Sequence, residues 1–174
     1  IQGYYKNIAT AIADAQAGET VNLLDNYNET LSEVLLIDKS LTINGNGKTL
    51  TSSATRVIRL TAPDINVTIN ELNMVSTAVR VGTNDIRGIS IDIIAKVTLT
   101  LNNCSVDFTD ASANDWAYAV NVTGGNEHNV TVNGGTYEGA NVINVHGANN
   151  TVIVKNATLT SLYPDNDMYY GATI

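Results

Sequence analysis

One four-residue pattern recurs along the chain: an apolar residue, Thr, a second apolar residue, then Asn. It stands at Leu41-Thr42-Ile43-Asn44, Val67-Thr68-Ile69-Asn70, Leu99-Thr100-Leu101-Asn102 and Val130-Thr131-Val132-Asn133, with a degenerate copy at Val152-Ile153-Val154-Lys155. Successive copies start 26, 32, 31 and 22 residues apart. A unit of this size cannot bury an apolar face alone, so neighbouring copies must stack. The alternation inside each copy is that of a β-strand with one buried and one solvated side. Val, Ile and Leu are therefore expected inside, and Thr outside.

Asn closes four of the five copies. It tolerates left-handed backbone angles and hydrogen-bonds readily through its side chain. Stacked at one corner, these residues are expected to form a ladder of amides. The residues that follow, Gly45, Asn103, Gly134 and Asn156, are turn formers, and Glu71 is the exception. Apolar positions resume beyond the turn at Leu50, Met74, Val106, Tyr137 and Leu159. A further strand is read at Val57–Leu60, Ile89–Ile93, Tyr118–Val122 and Val142–Val145, and a last one begins near Tyr169. An antiparallel sandwich also alternates strands and turns. It has no reason, however, to repeat one turn residue at one phase, so the expected fold is an all-β parallel solenoid.

The first residues differ. Between Lys6 and Ala17, apolar side chains fall at Ile8, Ala11, Ile12 and Ala15, which is helical spacing, and Gly18 stands at the C-cap. Thr20–Leu24 and Val34–Ile37 then read as strands. A short capping α-helix would cover the exposed end of the first coil. The expected division is 1–24 for the cap and first strand and 25–174 for the coils.

The stretches Ile8-Ala9-Thr10-Ala11-Ile12-Ala13-Asp14-Ala15, Gly18-Glu19-Thr20-Val21-Asn22-Leu23, Tyr27-Asn28-Glu29 and Leu41-Thr42-Ile43-Asn44-Gly45-Asn46-Gly47 resemble the start of right-handed parallel β-helix proteins of the pectate-lyase-like superfamily. That superfamily includes pectin methylesterases, polysaccharide lyases, phage tailspikes and many bacterial surface proteins. The resemblance implies a right-handed β-helix, in a secreted or cell-surface protein. It does not select an activity, because one fold hosts many. The polygalacturonase motifs and the Gln and paired Asp motifs of methylesterases are absent, and only Val145-His146-Gly147 partly matches. His146 is expected to be an ordinary coil residue and His128 a solvated one. Asp85 and Arg87 sit together without the repeated Asp pattern of pectate lyases.

Composition narrows the partners. The chain has 174 residues and a formal charge of −8, which disfavours nucleic acid and anionic membrane surfaces. No apolar run is long enough to span a membrane. The lone Cys104 excludes an internal disulfide and is expected in a small buried corner position. No cofactor is expected, and the acidic loops would bind Ca²⁺ weakly at most. Asn44-Gly45-Asn46-Gly47-Lys48-Thr49 ends like a phosphate-binding loop, but Thr42 replaces its first Gly and no helix follows, so it reads as a corner.

The unequal repeats supply the functional expectation. The extra residues fall at one phase, giving loops near Ser76–Gly88, Asp107–Ala117 and Ser161–Met168, with a minimal link at Glu138–Ala140. Equal phase means one side of a solenoid, so a cleft is expected over Gly139. The candidate ligand-binding residues are Asp107, Asp110, Asp115, Trp116 and Tyr118 in one loop, with Tyr163, Asp165, Asp167 and Tyr169 in another. Aromatic faces beside carboxylates suit sugar rings. The expected function is a non-catalytic adhesive or glycan-binding module, whose partner is a polysaccharide or cell-surface glycan. A carbohydrate-active enzyme fragment, lyase or esterase, and a structural stalk remain open. Tyr169-Tyr170-Gly171-Ala172-Thr173-Ile174 stops without a turn or polar cap, so further domains are expected at the C-terminal end.

Overall fold

The computed structural model describes residues 3–25, 27–109 and 116–162, without the side chains of 27–29. The chain winds into stacked coils, each built from three short strand segments. The first coil holds β1 (Thr20–Asn22), β2 (Tyr27–Leu31) and β3 (Leu35–Ile37). The second holds β4 (Leu41–Asn44), β5 (Thr49–Ser52) and β6 (Arg56–Leu60). The third holds β7 (Ile65–Asn70), β8 (Asn73–Ser76) and β9 (Ile86–Ile91). In the fourth, β10 (Val97–Phe108) runs through the corner before β11 (Ala117–Val122). The fifth repeats this with β12 (Asn129–Gly139) and β13 (Ile143–Val145), and the last described strands are β14 (Thr151–Lys155) and β15 (Thr158–Ser161).

Among the described residues every strand pairing is parallel, in one ten-stranded and one five-stranded sheet. This is the arrangement of a β-helix-like solenoid. The expected inward stripe is in register: Val21, Ile43, Ile69, Leu101, Val132 and Val154 stack on successive coils. Ile43, Ile69, Leu101 and Val132 are fully buried, and Val154 is half-buried. Leu35, Ile58, Ile89, Val120 and Ile143 line the core from the five-stranded sheet. Thr20, Thr42, Thr68, Thr100 and Thr131 form the outward column.

The amide ladder is present. Asn44 donates to Asn22 at 2.9 Å, Asn70 to Asn44 at 2.8 Å, Asn102 to Asn70 at 2.8 Å and Asn133 to Asn102 at 3.4 Å. The left-handed angle falls one residue after the ladder at Glu71 (φ 50°), Asn103 (φ 50°) and Gly134 (φ 73°), and at the matching Asn156 (φ 53°) after Lys155, whereas the Asn44 corner takes it later, at Asn46 (φ 52°) and Gly47 (φ 70°). The ladder residues keep strand geometry, because only then do their side chains stack along the axis. Glu71, the exception by residue type, takes the same turn because the corner demands it.

Helix α1 (Ile8–Asp14) is shorter than the spacing predicts. The Asn7 side chain caps the N–H groups of Ala9 and Thr10, which fixes the start. Ala15 is extended, so the helix ends there and Gly18 (φ 85°) lies in the turn beyond. Ile8 and Ile12 are buried, and the helix lies against β3. Lys39 donates to the carbonyls of Ile12, Ala13 and Ala15, satisfying the helix end.

Two side chains depart from expectation or fit it closely. His128 is not solvated but fully buried, with Nδ1 accepting from the Val97 N–H at 3.1 Å. The imidazole thus packs at the start of β10, against the 93–97 connection. Cys104 is buried at the corner, beside Gly135 of the next coil.

Candidate functional site

The outer face of the five-stranded sheet collects the arginines. β6 buries Val57 and Ile58 in succession, which turns both Arg56 and Arg59 outward. Arg56 pairs in register with Arg87, and Arg87 with Tyr118. Leu36, Arg59, Ser90, Asn121 and Asn144 form the adjacent outward column. Arg80 comes from the 77–85 connection and lies 5.1 Å from the centroid of the Trp116 ring. All four arginines of the chain are thus on one face of a molecule whose formal charge is −8.

Two carboxylates organise them. Asp92 accepts from Arg59 Nε at 2.7 Å and lies 3.5 Å from both Arg56 Nε and Arg87 Nη1. Asp85 accepts from Arg87 Nη2 at 2.9 Å. Burial, and then the neighbouring Arg87, push Arg56 below its ordinary value, with Asp92 opposing. Ser90 Oγ and Arg87 Nε are buried without a hydrogen-bond partner. Asn121 is also fully buried, accepting from Asn144 at 2.7 Å and donating to Thr123 at 3.1 Å. The face therefore carries fixed guanidinium donors and a positive local bias, with a half-exposed indole at its rim. Val79 and Val81, exposed on either side of Arg80, extend that rim.

The long connection 77–85 and the minimal 140–142 share one corner, between the ten-stranded sheet and the five-stranded one, and the described ends Thr109 and Trp116 flank the same corner. Of the loop residues singled out in the sequence, Trp116 and Tyr118 belong to the arginine face. Tyr118 is 5% exposed, packed within β11 as a sheet residue. Asp107 is exposed on β10 beside Val75, on the other sheet. Asp110, Asp115, Tyr163, Asp165, Asp167 and Tyr169 lie outside the described residues, as does the strand expected near Tyr169. Gly139 is buried, and a Cβ there would stand 2.8 Å from the Ala117 carbonyl oxygen.

Sequence reasoning noticed Asp85 and Arg87 but missed Arg56, Arg59, Arg80 and Asp92. Ile58 and Ile89 are in register, so Arg56 and Arg87 fall in one column, a relation set only when the coils stack. No metal-sized group of three His, Cys, Asp or Glu side chains occurs among the described residues. Among them, too, no helix is long and apolar enough to cross a membrane. No protein-family model, curated protein or solved structure matches the chain.

Proposed function

We propose that the chain is a right-handed parallel β-helix module of a secreted or cell-surface protein, and that it acts as a non-catalytic adhesive domain binding glycans. Right-handedness is supported by the strong bias of parallel crossover connections. The resemblance of the cap and first coils to the pectate-lyase-like superfamily supports the surface setting. The observation that carries the glycan reading is the half-exposed Trp116 indole under Arg80, beside the Arg87–Asp85 pair. Sugars bind by laying apolar C–H surface on an aromatic ring while their hydroxyls meet planar, fixed donors and acceptors. Arg80 holds the ring, and Arg87 and Asp85 supply both hydrogen-bond senses within one pair.

The test is glycan-array and calorimetric binding with wild type, Trp116→Ala and Arg80→Ala, alongside thermal melting. Lost binding with an unchanged melting temperature supports the reading. Binding equal to wild type in both variants removes the site. No binding by any of them leaves the stalk, and turnover of a polysaccharide makes the module an enzyme.

A further inference from the structure

The N-terminal end of the stack carries a groove beside an edge strand. Helix α1 lies against β3, while β1 ends the ten-stranded sheet and, among the described residues, pairs only with β4. A groove of about 640 Å³ runs along β1, walled by Tyr4, Tyr5, Ile8 and Ala11 and continued by Leu24. Tyr4 is 89% exposed and Leu24 68% exposed, so apolar surface stands open at both ends of the strand.

Among the described residues, half of the backbone groups at the floor have no partner. Glu19 C=O accepts from Thr42 at 3.0 Å and Leu23 N–H donates to Asn44 at 2.9 Å, both toward the second coil. Alternation along a parallel strand therefore turns the N–H and C=O groups of Thr20 and Asn22 toward the groove. Such an edge is a template for another strand. The groove is also acidic: Asp14, Glu19 and Asp25 line it against the single cation Lys6, while Lys39 is committed to the helix carbonyls.

We propose that this groove receives an extended polypeptide strand in which apolar residues alternate with Lys or Arg. The strand adds to β1 through main-chain hydrogen bonds, which supply affinity, while alternate side chains supply specificity. Its apolar side chains face Ile8 and Ala11, and its cations meet Asp14 and Glu19. This site is separate from the arginine face and does not depend on glycan binding there.

The probe is a short fluorescein-labelled peptide of alternating valine and lysine, read by anisotropy, with an alternating valine and glutamate peptide as control. Wild type is expected to bind the lysine peptide only, and more weakly as salt rises. Thr20→Pro removes a groove-facing N–H and is expected to weaken binding about tenfold, the equivalent of one main-chain hydrogen bond. Leu24→Ala, at a 68% exposed position, is expected to weaken it too, and serves if Thr20→Pro melts early. Glu19→Gln should reduce both affinity and salt dependence. Absent binding by wild type, equal binding of both peptides, or affinity unchanged in both Thr20→Pro and Leu24→Ala would overturn the proposal. So would concentration-dependent self-association of wild type that Thr20→Pro abolishes, because the edge would then belong to a second copy.

Discussion

The side-chain amide of Asn102 donates to Asn70 Oδ1 at 2.8 Å, across two coils of chain separated by 32 residues in sequence. The same side chain accepts from Asn133 at 3.4 Å. Asp in this place is acceptor-only when ionised, so Asn102→Asp sets a carboxylate against the Asn70 oxygen. The expected loss is about 1–3 kcal/mol, from one broken bond and one partly buried acceptor left opposed. Urea unfolding at neutral pH measures it, and an unchanged midpoint would show that the ladder adds no net stability.

Leu101 is fully buried in the middle of the stack, whereas Val154 is half-buried on the sixth coil. Leu101→Ala is expected to cost about 2–5 kcal/mol through transfer and cavity terms. Val154→Ala should cost clearly less, because less area leaves water there and no closed cavity forms. Equal losses in chemical denaturation would mean that the last coil is as tightly packed as the centre.

Gly18 and Gly135 both have left-handed angles, φ 85° and φ 91°. Around Gly18 nothing would meet a Cβ, but at Gly135 a Cβ would overlap the Cys104 carbonyl. Gly18→Ala is therefore expected to cost about 1–2 kcal/mol of backbone strain alone. Gly135→Ala adds a steric clash between coils, and should cost more than its counterpart by a wide margin. Matched thermal melts of the two variants decide this; similar melting temperatures would contradict the coil packing at that corner.

Desolvation pushes His128 below its ordinary value, so the folded chain holds the imidazole neutral. Once unfolded, the group titrates near pH 6.5. Below that pH the unfolded state binds a proton that the folded state resists, so stability is lost as pH falls from about 6.5 toward the lower folded value. His128→Asn keeps an acceptor for the Val97 N–H and removes the titration. Its stability between pH 7 and pH 5 should vary less than that of wild type, as read by denaturant midpoints at each pH. Parallel curves for the two proteins would place the acid sensitivity elsewhere.

The strands, their inward stripe, the amide ladder and the cap could be read from residue order, because alternation and turn chemistry are local properties of the backbone. Leu99-Thr100-Leu101-Asn102 carries its own inside, outside and corner wherever the coil is placed. The arginine face and the burial of His128 could not be read that way. Which outward side chains become neighbours depends on the register between coils of unequal length and on breaks in alternation such as the successive burial of Val57 and Ile58. Those are settled only when the coils stack, and Arg56, Arg59 and Arg87 then close on Asp92 although up to 36 residues separate them. In the same way His128 is polar enough to read as solvated, yet packing gives it a backbone donor to satisfy and removes it from water.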